Sequence, residues 1–239
     1  VFILIGLLPT HAHAYEKSDH KRINEYIAYN VAHGFSLSRY LRDYLGFREG
    51  ISEKITTKPW ILPTWFGDIQ LAQPKTLTVR EFLGKGGKDE DTPLPRCERH
   101  FHNPLEGWDE AGWLFGAYES SILWAQLPNE TQSWGDYRWQ DVRSYYYAAL
   151  TSADPDERAL NFIRTFNGLG RLMHLIQDAS VPEHVKNDFH MLYSYEKFVE
   201  KYRESSDEVI RDIYLGWISK NTRYTYNEAL LNLAPNPLA

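Results

Sequence analysis

Residues Gly168–Glu196 read GLGRLMHLIQDASVPEHVKNDFHMLYSYE, and this stretch sets the terms for the rest of the chain. It carries three of the nine histidines, His174, His184 and His190, interleaved with the carboxylates Asp178 and Glu196. His174 and Asp178 stand four apart inside an apolar run of helical period, so both side chains leave one face of one helix, a turn apart. Pro182 is expected to end that helix, because a proline there cannot easily continue the backbone ladder. The chain can then turn His184 and His190 back towards the face that carries the first pair. Imidazole and carboxylate are what zinc takes when cysteine is not used, and an i, i+4 helical pair is a common way to supply two ligands. The plain alternative is a helix with one buried, hydrogen-bonded histidine and a solvated acidic turn. That alternative suits any single residue here; the whole set, H-x3-D-x5-H-x5-H-x5-E, favours metal.

Upstream, Asp154-Pro155-Asp156-Glu157 opens the long helix with Asp at the N-cap, Pro at the first position and Glu two residues later. The helix is predicted to run to about Ser180, roughly 40 Å at 1.5 Å per residue. Gly168 and Gly170 inside it lower helix propensity, so close packing against another helix or the site is expected to compensate. Further helical patterns cover Trp108–Gln126, Trp134–Ser152, Tyr193–Ser219 and the short Thr78–Leu83. Core packing is the default role for Trp134, Tyr137, Trp139 and Tyr145 to Tyr147. Nearer the start, Ser18 or Asp19 can cap a helix with Ile23, Ile27 and Val31 on one stripe. His20 in its first turn reads, alone, as a surface histidine. Ser36–Leu45 is a shorter helix closed by Gly46. Gly46–Gln73 reads as irregular chain. Gly84–Gly107, GKGGKDEDTPLPRCERHFHNPLEG, reads as a long loop carrying Glu90, Asp91, His100 and His102, and such loops are commonly functional or disordered. Solvated charge is the expectation for Glu90 and His102. No strand-like alternation or repeat competes, so the fold class is all-α.

At 239 residues one domain can bury a full core. Eight Trp and sixteen Tyr make the chain aromatic-rich, which usually reflects helix packing. A formal charge of −6 leaves no basic stripe for a nucleic-acid backbone, so no stable nucleic-acid partner is expected. That argues only weakly against a nuclease, because bound metal would reverse the local sign. Cys97 is the one cysteine, so the fold is held by its core, by metal or by both and not by an internal disulfide. Residues 1–14, VFILIGLLPTHAHA, read as the apolar part of a signal peptide with Ala12-His13-Ala14 as its cleavage pattern; an uncleaved anchor is the alternative. With no positive region ahead of it, this run is expected to begin inside a longer precursor. Cleavage would leave Tyr15 as the terminus of an exported protein, periplasmic or extracellular. The domain is then 15–239, with a tail from about 220.

With these pieces in place the chain resembles the zinc-dependent phospholipase C and single-strand nuclease superfamily, all-helical exported enzymes with a three-zinc cluster. The resemblance spans roughly Tyr15 to Glu200 and rests on four pieces. They are H-x3-D-x5-H with the preceding GLGRLMHLIQDASVP; Glu90-Asp91 followed by His100-Phe101-His102-Asn103-Pro104; Tyr15-x4-His20; and Tyr195-Glu196-Lys197-Phe198. It implies a single-domain helical bundle of that type, with long ligand-bearing loops. It also implies that Asp91, His100, His174 and Asp178 hold the first zinc and that His184, His190 and Glu196 hold the second. The α-amino nitrogen and carbonyl of Tyr15, His20 and the second oxygen of Asp178 would hold the third. Two departures stand out. The family's terminal residue is typically Trp, and here it is Tyr15, although the ligating atoms there are backbone. The family's last His and acid are usually four apart, whereas His190 and Glu196 are six apart. On one continuous helix they would point about 240° apart, so His190 must lie before that helix begins. Leu192, four before Glu196, cannot ligate.

The activity implied is phosphodiester hydrolysis by metal-activated water, with Asp91 orienting the water or acting as general base. Phe101, beside His100, either packs or offers its ring face to a head group or base. A phospholipid head-group phosphodiester is the first substrate class, with transient membrane-surface contact. Single-strand nuclease or nucleotidase action is the second, and a zinc-stabilised exported domain without turnover is the third.

Overall fold

The structure, a computed structural model, describes residues 17–31, 34–56, 61–64, 67–70, 76–113, 119–126 and 135–186, all within the compact unit Val1–Glu196. Tyr15, His190, Glu196, the leader expected over 1–14, the helix expected over Tyr193–Ser219 and the expected tail lie outside these residues. Seven helices are described: α1 Lys17–Tyr29, α2 Leu37–Leu45, α3 Val79–Asp89, α4 Ser121–Gln126, α5 Trp139–Thr151, α6 Pro155–Asp178 and α7 Pro182–Lys186. The described residues are mostly helical with little strand, in line with the all-α expectation. Three of the four described strands lie within Gly46–Gln73, where irregular chain was expected, and the fourth follows just after it. β1 (Lys54–Thr56) pairs antiparallel with β4 (Thr76–Thr78), and β2 (Ile61–Thr64) pairs antiparallel with β3 (Gly67–Gln70). Strands this short show no period that a sequence reading can catch.

The frame that positions the site is α1, α3 and α6, with α3 between the other two. α3 overturns a prediction, because it runs straight through Gly84, Gly86 and Gly87, which were read as the start of a loop. Glycine is a poor helix former, but here the missing Cβ lets neighbouring backbones close in. A Cβ at Gly86 would overlap the Asn167 carbonyl oxygen of α6, and one at Gly87 would overlap Asn24 of α1. Gly170 reciprocates, since a Cβ there would overlap the Leu83 carbonyl oxygen. Tertiary packing has overridden propensity. Thr78 starts α3 with a capping box, its hydroxyl accepting from the Glu81 N–H while the Glu81 carboxylate accepts from the Thr78 N–H.

Both expected helix ends hold at α2 and at the start of α6. Ser36 Oγ accepts from Arg39 N, and Gly46 closes α2 at φ 74°. Asp154 caps α6 by accepting from Asp156 N, with Pro155 next. The other end of α6 differs: it stops at Asp178, and Pro182 opens α7 instead of ending α6. Proline at a first helical position costs no hydrogen bond, which explains the reassignment.

Two further expectations are corrected. Among the described residues of Trp108–Gln126, helix is confined to α4, because described backbone groups before it bond across the fold. Asn103 N donates to Ala111 O at 2.7 Å, Ser120 N to Trp108 O at 2.7 Å and Ser121 N to Phe101 O at 2.9 Å. On α1 the stripe Ile23, Ile27, Val31 is not the buried one: Ile27 and Val31 are exposed, and the buried residues are Asp19, His20, Asn24 and Ala28. Similarly, α5 buries the small Val142 and Ala149 while Trp139 and Tyr147 face solvent. The apolar core lies towards one end of the frame, with Leu41, Phe47, Ile55, Val79, Phe82, Phe162 and Phe166 among its buried members. Phe47 meets Phe162 edge-on at 4.9 Å between ring centroids. Polar groups gather at the other end.

Candidate metal centre

The last turn of α6 carries His174 and Asp178 inward on one face, both fully buried. Around them stand His20 from α1, Asp91 just beyond α3, His100 at the end of the 3-10 segment Leu94–Arg99, and His184 from α7, all buried. His20, read alone as a surface residue, is 0% exposed. Asp178 Oδ2 lies 2.8 Å from His100 Nδ1 and 3.0 Å from His174 Nε2. Its other oxygen, Oδ1, lies 3.4 Å from His20 Nε2. Asp91 Oδ1 lies 3.5 Å from His174 Nε2 and 3.6 Å from His100 Nδ1. The two imidazole nitrogens are themselves 3.3 Å apart. Two overlapping groups, His20 with His174 and Asp178, and Asp91 with His100 and His174, could each hold a metal ion.

The outer ring nitrogens fix how these imidazoles present themselves. His174 Nδ1 donates to Gly87 O at 2.7 Å, and His184 Nδ1 donates to His100 O at 3.0 Å. A carbonyl only accepts, so in both residues Nδ1 carries a proton and Nε2 is the atom left for ligation. His20 Nδ1 lies 2.8 Å from Gln177 Oε1. Asp178 fits a cation for a further reason. Within the described residues neither of its buried oxygens makes a well-aligned hydrogen bond, although three imidazole nitrogens crowd them. Nitrogen and oxygen donors from several segments converging on one buried point are what a metal site requires.

The charges are tightly matched. Burial pushes His20 down to about 3, with the neighbouring His174 adding to the effect, so His20 is neutral. For His174, burial acts the same way but is outweighed by the Asp178 and Asp91 carboxylates, which hold it well above the ordinary histidine value. Burial would raise Asp178, yet His174, His184 and His100 keep it well below the usual carboxylate range. In the metal-free protein, then, a proton on His174 stands where positive charge is wanted.

Behind the centre lies a charged cluster. Glu90, expected to be solvated, is fully buried and joins two arginines. Arg96 donates to its Oε1, from Nε at 3.1 Å and also from Nη2, and Arg171 Nη1 donates to its Oε2 at 2.9 Å. Arg171 also donates to Asp89 O, and its guanidinium lies 4.0 Å from the Tyr137 ring centroid. Two cations and an aromatic face stabilise a carboxylate that could not stand buried alone. Glu90 thereby ties together the three segments that carry Asp91, His100 and His174.

His102 is half-buried, with Nδ1 2.9 Å from Ser120 Oγ, away from the ligand atoms described above. Phe101 is buried and stacks on His184 with ring centroids 4.5 Å apart. Sequence reasoning missed Gln177, Asn24, Arg96 and Arg171. The available signal for Arg171 was its place one turn before His174 on the same helix. No family model, no curated protein and no solved structure matches this chain.

Proposed function

We propose that this chain is an exported zinc-dependent phosphodiesterase of the phospholipase C and single-strand nuclease type, acting first on a phospholipid head-group phosphodiester. One observation carries the reading. A tetrahedral ion with bonds of about 2.0–2.1 Å separates its ligand atoms by about 3.3 Å. The five distances that involve a histidine among Asp91 Oδ1, His100 Nδ1, His174 Nε2 and Asp178 Oδ2 run from 2.8 to 3.6 Å. An all-nitrogen-and-oxygen donor set of that size suits zinc better than the oxygen-seeking Mg²⁺ or Ca²⁺. His20 Nε2 and Asp178 Oδ1, 3.4 Å apart, would help hold a second ion, which with fewer described protein donors would leave room for water. His184 is oriented for another; His190 and Glu196, its partners by the family resemblance, lie outside the described residues.

Zinc supplies Lewis acidity, lowering the pKa of a water to about 7 and countering phosphate charge. The chain does the rest. Asp91 is the catalytic residue, placed by its carboxylate beside both imidazoles to orient the attacking water and take its proton. Cys97, with Sγ 3.6 Å from Asp91 Oδ1, steadies that carboxylate, and burial keeps its thiol protonated. Asp178 and the neutral His20 hold position without competing for that proton. Phe101, by stacking on His184, sets the angle at which that ring enters the site. Exposed Tyr26, Tyr29, Val31, Phe35 and Tyr44 favour a lipid interface over a nucleic-acid groove, since aromatic side chains suit the boundary of a bilayer.

The test is metal analysis of the mature protein, followed by two assays on the zinc-loaded form. Phosphocholine released from phosphatidylcholine vesicles is expected. Mononucleotides from single-stranded DNA with intact vesicles would move the activity to the nuclease branch. Full zinc occupancy with neither product would leave a non-catalytic zinc-stabilised domain, and absence of zinc would overturn the proposal.

A further inference from the structure

His20 differs from its neighbours in what holds its outer nitrogen. His174 and His184 are oriented by backbone carbonyls, which no substitution can remove. His20 is oriented by a side chain, and that side chain is part of a buried series. Asn24 Nδ2 donates to Leu83 O at 2.9 Å and to Gly170 O at 2.9 Å. Gln177 Nε2 donates to Asn24 Oδ1 at 2.6 Å, and Gln177 Oε1 meets His20 Nδ1 at 2.8 Å. Asn24 is 0% exposed and Gln177 9%.

Each step in this series admits one polarity. Two backbone carbonyls face one end of the Asn24 amide, and carbonyls cannot donate. That end must be the NH2 group, because a flipped amide would set oxygen against oxygen twice. Asn24 therefore turns its own oxygen towards Gln177. An oxygen there requires the NH2 of Gln177, which leaves Gln177 Oε1 facing His20. An acceptor facing Nδ1 requires the proton on Nδ1, so Nε2 keeps its lone pair, 3.4 Å from Asp178 Oδ1.

We propose that Asn24 and Gln177 are positioning residues, a relay of fixed polarity that carries the direction of two carbonyls, one on α3 and one on α6, to His20 and presents its Nε2 as a ready ligand. The α3–α6 contact and the chemistry of the centre are coupled through it. Without the relay, Asp178 Oδ1 stands ready as an acceptor 3.4 Å from His20 Nε2, and the opposite tautomer would place a proton between the two atoms meant for metal. That the presented lone pair serves a cation rests on the functional reading above; the tautomer itself does not.

The experiment reads the two apart. Two-bond 1H–15N correlation spectra of the metal-free, 15N-labelled full chain near pH 7 report which nitrogen of each histidine is protonated. In the parent, His20 is expected as the Nδ1–H tautomer; finding Nε2–H would overturn the relay without any variant. Gln177→Leu, similar in size, should shift His20 towards Nε2–H. Chelator competition should then show affinity for one zinc equivalent falling at least about tenfold, as for other groups behind a ligand. Gln177→Glu keeps an acceptor opposite Nδ1 and should retain the parent tautomer. An unchanged tautomer and unchanged zinc affinity in Gln177→Leu would also overturn the proposal. A parent that is Nδ1–H yet takes up no zinc would sink the functional reading and leave the relay standing.

Discussion

Replacing Gly170 with alanine tests whether the α3–α6 approach governs the site. Helix propensity alone predicts a gain of about 1 kcal/mol for Gly→Ala in a helix interior. The structure predicts the reverse. The new Cβ would overlap Leu83 O and stand 3.0 Å from Gly86 Cα, and both are backbone atoms that no rotamer change can move. Overpacking of this kind costs about 1–3 kcal/mol. Separating the helices would also stretch the bonds from Asn24 to Leu83 O and Gly170 O and from His174 to Gly87 O. Each is worth about 0.5–1.5 kcal/mol. With overpacking at about 2 kcal/mol, the three bonds stretched and not broken at about 1–2 together, and the propensity gain of about 1 subtracted, a net loss of about 2–3 kcal/mol remains. For a chain of this size that corresponds to a fall in Tm of roughly 4–12 °C. Gly84→Ala is the matched control, because its Cβ would meet the Glu25 side chain, whose flexible carboxylate end can swing away. The control should lose less than about 1 kcal/mol. Denaturant unfolding followed by tryptophan fluorescence measures both, and zinc affinity should fall only in Gly170→Ala. Equal stability of Gly170→Ala and the parent, or equal damage from the two variants, would refute the reasoning.

Zinc affinity should weaken as pH falls, because His174 holds its proton well above the ordinary value and an entering cation must expel it; isothermal titration at several pH values checks this. Buried His20 lies below its ordinary 6.5, at about 3, so its contribution to metal-free stability is complete above pH 6.5 and is lost on acidification towards 3. Denaturation midpoints of the metal-free protein should decline across that window. Glu90→Gln leaves two buried arginines short of a carboxylate and should cost about 3–5 kcal/mol by equilibrium unfolding. His174→Ala should abolish most hydrolysis while His102→Ala, which removes a bond to Ser120, leaves most of it; equal losses would discredit the assignment of the loop.

Local rules were legible wherever a side chain reports its own backbone state. The Ser36 and Asp154 caps, the Gly46 terminator and the His174/Asp178 face all follow from sequence position. The rest depended on what lies across the fold. GKGG reads as a breaker until two neighbouring helices demand a face without Cβ atoms. Ile27 looks like core and His20 like surface, because hydrophobicity says nothing of a polar interior whose members satisfy one another. Glu90 looked solvated since its arginines sit six and eighty-one residues away. Convergence of His20, Asp91, His100, His174, Asp178 and His184 was expected from the family resemblance, and spacing alone carried only the α6 pair. Tyr15, His190 and Glu196 lie outside the described residues.

The place where α6 stops has an electrical meaning. Asp178 is its final residue and His174 sits one turn earlier, at the negative pole of a rod of 24 residues whose peptide dipoles all point the same way. Roughly half an elementary charge gathers at that pole, beside the carboxylate and not opposed to it. A cation gripped there is drawn by backbone as well as side chain, a contribution of up to about 2 kcal/mol where water is excluded. Lengthening the helix past Asp178 would carry that pole away and leave every ligand in place, so attraction could be lost without losing a single donor atom.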